Sequence, residues 1–171
     1  MTAPPRAITD APPVDLRPFF ATFPTGVGVI TALASDGRAW GMTCTSMCSV
    51  TLRPPTLLAC LRRGSPTLDA VLASDAFALN LLHEDGRPTA ELFASGAVDR
   101  FARVAWDVPA GGGGPHLVED AHAVADCRVA RTQVVGDHVV VFGEVRRVTH
   151  REEPPRPLLY GLRRYGRWAE D

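Results

Sequence analysis

Apolar residues in this chain gather in short runs of strand length, and helical spacing is confined to a few brief stretches. The first stretch, VDLRPFFATFPTG (14–26), sets Leu16, Phe19, Phe20 and Phe23 at helical intervals before Pro24 and Gly26 stop the element. GVGVITALASDGRAWGMT (26–43) follows as a β-branched run, an Asp36-Gly37 turn signal and a second extended run, the pattern of a hairpin. TLLACL (56–61) and AFALNLL (76–82) are apolar runs of strand length. HAVADCRVARTQVV (122–135) and HVVVFGEVRRVTH (138–150) flank Gly136-Asp137 as a second, longer hairpin. Helices are predicted from Ser65-Pro66, with serine as N-cap and proline in the first turn, and over about 87–95, closing at Gly96.

Strands that follow one another in this way pair antiparallel, with helices filling connections. The expected fold is therefore mainly β with short helices, a Greek-key or split β-barrel rather than a doubly wound sheet. PAGGGGP (109–115) follows no convincing strand, opens no helix and lacks the GxGxxG spacing, so it reads as a flexible loop and not a dinucleotide fingerprint. No internal repeat is visible. The expected organisation is one domain over 14–171, preceded by a proline-rich, mobile leader over residues 1 to about 13.

Composition narrows the function classes. With 171 residues and 46% hydrophobic side chains, the chain suits one compact domain. Eighteen basic residues stand against nineteen acidic ones, a net charge of -1, which leaves no excess charge to hold a nucleic-acid backbone. Every basic residue is an arginine. No stretch is long and apolar enough to span a bilayer and the N-terminus lacks a signal-peptide core, so the expected location is the cytoplasm. Cys44, Cys48, Cys60 and Cys127 form no CxxC pair and no Cys/His cluster. Reduced thiols and no metal are expected.

GMTCTSMCSVTLRPP (41–55) carries the candidate chemistry. Thr43, Thr45, Ser46 and Ser49 place hydroxyls along one rim of an extended segment, a surface suited to a ligand with several acceptors; a solvent-facing strand side with threonines chosen for β propensity is the other reading. In LRRGSPTL (61–68), Arg62 and Arg63 precede a predicted helix start bearing Ser65 and Thr67, where free amides, helix dipole and guanidinium favour a phosphate; an ordinary Ser-Pro cap with solvated arginines is the alternative. His138 opens a strongly apolar strand after a tight turn, whereas His83, His116, His122 and His150 fall in loops or at strand ends. No Ser/His/Asp order with an elbow motif and no paired carboxylates stand in a plausible site.

Seven segments in order, FFATFPTGVGVITA, GMTCTSMCSVTLRPPTLLACL, RGSPTLDAV, FALNLL, AELFAS, DRFARVAW and GDHVVVFGEVRRV, resemble the flavin reductases that serve two-component flavin-dependent monooxygenases. The resemblance covers about residues 15–165. The family's strand reads threonine, variable residue, Asn/Ser/Thr and serine, then a Ser-Val-Ser-like stretch, matched here by Thr43, Cys44, Thr45, Ser46 and Ser49-Val50-Thr51; Arg53 departs from the family's aspartate just before the prolines.

The resemblance implies a split-barrel homodimer that binds FAD or FMN, takes hydride from NADH or NADPH, and hands reduced flavin to a separate monooxygenase. FAD and NADH are the expected pair. It further implies that residues 43–50, with Cys44 and Val50 among them, lie along the flavin ring and ribityl chain, and that Arg62, Arg63, Ser65 and Thr67 hold the phosphate. His138 is assigned to the nicotinamide side of the ring, as the one catalytic candidate. Near the C-terminus Tyr160, Tyr165 and Trp168 match an aromatic stretch the family packs close to the flavin, so Tyr165 is a candidate contact; Phe93 and Phe101 can wall the cofactor or belong to the core. Two other classes stay open: a split-barrel flavin-binding oxidase resembling the pyridoxamine-phosphate oxidases, and a non-catalytic flavin-binding module.

Overall fold

A computed structural model describes residues 14–169. The expected leader over residues 1 to about 13 lies outside the described residues. The chain begins with α1 (Arg17–Ala21), then β1 (Thr25–Gly26), β2 (Gly28–Leu33), β3 (Ala39–Cys44), β4 (Met47–Leu52) and β5 (Pro55–Arg62). It continues through α2 (Pro66–Ser74), β6 (Ala76–Leu82), α3 (Arg87–Ala94), a 3₁₀ turn over Arg100–Arg103, β7 (Ala121–Val135), β8 (His138–His150), β9 (Leu159–Gly161) and β10 (Arg164–Gly166). The mainly β expectation holds, and both hairpins form as read: β2 to β3 across Asp36-Gly37, and β7 to β8 across Gly136-Asp137, with Gly37 and Gly136 at positive φ.

Seven strands make one antiparallel sheet in the order β3-β2-β6-β7-β8-β5-β4, and β1, β9 and β10 make a small second one. β3 and β4 lie at opposite edges of the large sheet, yet only Thr45 and Ser46 separate them in sequence. Flat, such a sheet would hold those edges about 29 Å apart at ~4.8 Å per strand. Three residue steps reach no further than about 11 Å. The sheet is consequently rolled until its edges meet. At the start of β4 the Cys60 amide donates to the Ser46 carbonyl at 2.9 Å, continuing the β4–β5 pairing, and among the described residues no ladder pairs β3 with β4 or β5. The segment 41–50, expected as one continuous strand, is thereby broken at Thr45 and Ser46, because its two halves belong to opposite edges.

Side chains fill the roll in two clusters. Ile30, Leu61, Leu68, Val71, Phe77 and Val141 pack where α2 covers β2 and β3. Val27, Val29, Leu82, Phe93, Leu117 and Leu158 pack under α3. Ser65 caps α2 as predicted, its Oγ accepting from the Leu68 amide at 3.2 Å, and α3 begins and ends close to expectation. α1 differs: its helical spacing is real, but no residue in it is buried, and Phe19, Phe20 and Phe23 stand exposed.

The glycine-rich stretch is also not the flexible loop expected. Gly113 and Gly114 lie so close to the backbone of β6 and β2 that a Cβ would collide with the Phe77 and Thr31 carbonyls. Buried Asp126 accepts from the Gly113 amide (2.7 Å), meets His116 Nε2 (2.9 Å) and accepts from Arg147 Nε (2.8 Å). Asn80 accepts from the Leu117 amide and donates to the Val29 and Pro115 carbonyls, sewing the same loop to the sheet. Gly113 and Gly114 are glycine because only a bare backbone fits that gap, whereas Gly111 faces open space at positive φ.

Burial raises the Asp126 pKa, but the bonds from His116, Gly113 and Arg147 together outweigh it and hold the carboxyl below its usual range. An acid whose folded pKa is lowered adds stability above its unfolded pKa of about 4, and that stability is lost as pH falls through the lowered value. Asp126→Asn is expected to cost about 3 kcal/mol at pH 7 in urea unfolding and to flatten the acid limb of stability against pH between about 5 and 2. An unchanged acid limb in the variant would count against this role.

Candidate functional site

The meeting line of the rolled sheet gathers the segments singled out in the sequence. Along it, the Cys44 thiol faces the Cys60 carbonyl (3.9 Å) and Ser65 Oγ approaches the Met42 sulfur (3.9 Å), while the Cys60 amide ties Ser46 to β5. The end of β3, the 45–46 connection and the 62–65 loop therefore share one seam. Gly28 and Gly41 let it close: a Cβ on Gly28 would meet Leu79 at 2.9 Å and Met47 at 3.1 Å, and one on Gly41 would meet the Phe93 ring at 2.9 Å. Buried Arg100 donates to the Gly41 carbonyl at 2.7 Å and fixes the middle of β3 from behind.

A cleft of about 750 Å³ opens at this seam, lined by Thr45, Ser46 and Met47 and faced by Phe20, Phe23, Thr25 and Tyr160. Two guanidiniums, Arg17 and Arg163, reach its wall, and among the described residues no carboxylate lines it. Its size, flat aromatic sides and hydroxyl rim suit a ring with polar edges and an anionic tail.

At the end of β5, the ladder sets Arg62 opposite His138. The Arg63 amide donates to the Asp137 carbonyl at 2.9 Å, and His138 Nδ1 lies 2.8 Å from Asp137 Oδ1. That contact with His138, aided by Arg62, holds the Asp137 carboxyl below its ordinary range. Arg62, Arg63, Ser65 and His138 thus form one charged, partly open end of the sheet.

Other predicted residues are placed differently. Thr43 uses its hydroxyl to donate to the Ala90 carbonyl of α3 at 2.6 Å. Thr67 belongs to the buried face of α2. Ser49 lies on a separate apolar groove of about 450 Å³ with Leu52, Leu57, Val145 and Val148, and Val50 is exposed. Phe101 sits edge-on between Phe93 (5.1 Å) and Trp106 (5.5 Å), away from the residues that line the cleft. Tyr165 stacks edge-on behind Tyr160 at 5.1 Å with Arg87 over its ring, so Tyr160 is the tyrosine that faces the cleft. Sequence reasoning named Tyr160 without selecting it and passed over Phe20, Thr25 and Arg163; the exposed apolar side of a very short helix was the available signal for Phe20.

A family model described as flavin reductase like domain matches residues 20–169. The chain belongs to the flavin reductase-like family. A flavin reductase (NADPH) of Lentzea aerocolonigenes is 50% identical over 157 residues, covering 92% of this chain and 91% of its own. The reductase subunit HsaB of a flavin-dependent monooxygenase from Mycobacterium tuberculosis (strain CDC 1551 / Oshkosh) is 36% identical over 151 residues, covering 86% and 78%. Among solved structures, the NADH:FAD oxidoreductase SgcE6 of Streptomyces globisporus C-1027, in complex with NAD and FAD fragments, superposes with a TM-score of 0.85 at 33% identity over 94% of this chain and 99% of that one.

Four cysteines surround this redox-type fold, and burial separates them. Desolvation pushes the Cys44 thiol up to about 11 and Cys127 up to about 12, and it raises half-buried Cys60, while Cys48 is exposed. A disulfide reagent at pH 8 is expected to label Cys48 first and Cys60 more slowly, leaving Cys44 and Cys127 unmodified until denaturant is added. Peptide mapping of the labelled protein checks the order, and early labelling of Cys44 would contradict it.

Proposed function

We propose that this protein is an NAD(P)H:flavin oxidoreductase that reduces FAD or FMN and supplies reduced flavin to a separate monooxygenase. The observation that carries the reading is the seam itself: a hydroxyl-lined, aromatic-walled cleft and an arginine-bearing helix start meet on one line, in a chain that matches the flavin reductase-like domain from residue 20 to 169. The residues present fit a flavin. Short side chains at Thr45 and Ser46 let the backbone approach a flat ring while their hydroxyls bond its polar edge. Bound flavin would supply the hydride-accepting centre, which no side chain of the twenty provides.

The chain's own work is then positioning. Thr45 and Ser46 orient the ring, Phe20, Phe23 and Tyr160 exclude water from its faces, and Arg62, Arg63 and the amides before α2 take a phosphate. His138, held by Asp137, orients the nicotinamide carboxamide at the open end. Thr43 supports the site by fastening α3 to β3. Of the remaining candidates, Cys44 packs on the seam and Tyr165 behind Tyr160, whereas Ser49, Val50, Thr67 and Phe101 lie outside the residues that line the cleft.

FAD and NADH are the pair favoured. The Streptomyces globisporus neighbour, by its name, uses both, whereas the Lentzea relative's name specifies NADPH. HsaB's role as a reductase subunit supports a separate monooxygenase as the recipient. A homodimer covers the apolar groove between β4 and β8, where Leu52 and Val148 are exposed. Among the described residues no helix is long and apolar enough to cross a membrane, in keeping with a cytoplasmic reductase.

The test is NADH and NADPH oxidation at 340 nm with FAD, FMN or no flavin. Flavin-dependent oxidation is expected, and Arg62→Ala should raise the KM for the flavin about tenfold. Retained flavin without oxidation would point to another flavoenzyme, and failure to bind flavin at all would sink the assignment.

A further inference from the structure

Gly161 pairs with Arg164, so β9 and β10 are joined by a two-residue turn of Leu162 and Arg163. Both hold left-handed backbone, with φ of 50° and 59°. Such turns are normally built from Asn-Gly or Gly-Gly, and long side chains pay strain to occupy them. The turn is nonetheless held firmly: the Leu162 amide donates to the Ala21 carbonyl at 2.5 Å, and Gly161 fits against Pro24, where a Cβ would come within 3.1 Å.

The consequence of that turn is the position of Arg163. It lines the cleft with Thr45, Ser46, Phe20 and Tyr160. Arg17, the other guanidinium there, is occupied: its Nε and Nη2 donate to the two oxygens of Asp15 at 2.8 and 3.0 Å. Asp15 is held below its ordinary pKa first by Arg17, with only a minor contribution from Arg163. Among the described residues Arg163 makes no hydrogen bond or ion pair of its own. Arg163 is thus presented, with only a weak pull from Asp15 and no hydrogen-bond partner among the described residues, to a hydroxyl-rimmed cleft whose described lining holds no carboxylate, on a turn that a glycine would occupy more comfortably.

We infer that Arg163 is a cofactor-binding residue that takes a phosphate of the nucleotide seated in this cleft. The inference rests on the flavin reductase reading above and deepens it. The planar guanidinium pairs with a phosphate in two parallel bonds, a geometry lysine lacks. The phosphate belongs either to the flavin or to the pyridine nucleotide, and the choice of ligands in the test separates them.

Arg163→Gly removes the charge while supplying the residue best suited to the backbone, so folding is preserved; Arg163→Lys keeps the charge. Kd values for riboflavin, FMN and FAD, by flavin fluorescence, and KM values for NADH and NADPH are measured for the wild type and both variants. The glycine variant is expected to lose about tenfold for at least one phosphate-bearing ligand, to leave riboflavin unchanged and to recover in part as lysine. Loss for FMN and FAD assigns the flavin phosphate; loss for both nicotinamide nucleotides assigns their pyrophosphate; loss for NADPH alone assigns its additional phosphate. Unchanged constants for all five ligands, or an equal loss for riboflavin, would overturn the inference. A wild type that neither binds flavin nor oxidises nicotinamide would instead overturn the flavin reductase reading and this inference with it.

Discussion

The connection through Thr45 and Ser46 joins strands at opposite edges of a seven-stranded antiparallel sheet, and it is too short to do so unless the sheet rolls until those edges touch. Most of what is functional follows from the way they touch. Among the described residues the edges meet without forming a ladder with each other, so groups on the facing sides of β3 and β4 are not consumed by strand pairing across the seam. An open sheet edge is ordinarily a liability for association. Here one edge is folded against the other, and the polar groups left over face a cleft with aromatic walls.

Keeping seven strands in so tight a roll requires close backbone approach at a few points and buried polar anchors at others. Gly28 and Gly41 admit Met47 and Phe93 at the seam, and Gly143 sits against the Phe77 ring where a Cβ would come within 2.5 Å. On the far side, Asn80, Thr31 and Asp126 fasten residues 113–117 to β2, β6 and β7 through fully engaged hydrogen bonds. Buried groups of this kind are costly unless paired, and these are paired. Left-handed non-glycine backbone occurs at Asp75 and at the Leu162 and Arg163 turn, of which the turn stands on the rim of the cleft.

Local signals made the regular elements legible. Asp36-Gly37 and Gly136-Asp137 define two-residue turns by their own backbone chemistry, and Ser65-Pro66 defines a helix start. What escaped the sequence was set by contacts between distant positions. The residues from Met42 to Val50 have uninterrupted strand propensity, so nothing local marks the break at Thr45 that the roll imposes. The Thr43 hydroxyl looked available but serves Ala90, 47 residues away. Four consecutive glycines look flexible until the β6 backbone is seen lying against them. Tyr160 and Tyr165 are cross-strand partners with similar neighbours, and only the position of the second sheet decides that Tyr160 faces the cleft. Leu162 and Arg163 carry no turn signal at all. Arg62 and His138 are each marked by local signals, but their pairing comes from β5 lying against β8 and not from the β7–β8 hairpin.

A site that works by positioning must also keep its own side chains out of the chemistry. Thr45, Ser46 and Tyr160 offer hydroxyls that hydrogen-bond a ligand, and among the described residues the cleft has no carboxylate in its wall. The thiols are the groups most at risk beside a redox reaction, because the thiolate is the reactive form. Burial answers this for Cys44, which lies on the seam: a thiol pushed up to about 11 is almost wholly protonated at neutral pH. Cys48 is exposed and lacks this protection, but it lines the separate apolar groove with Leu52 and Val148 rather than the cleft, which keeps the accessible thiol off the ring's binding surface.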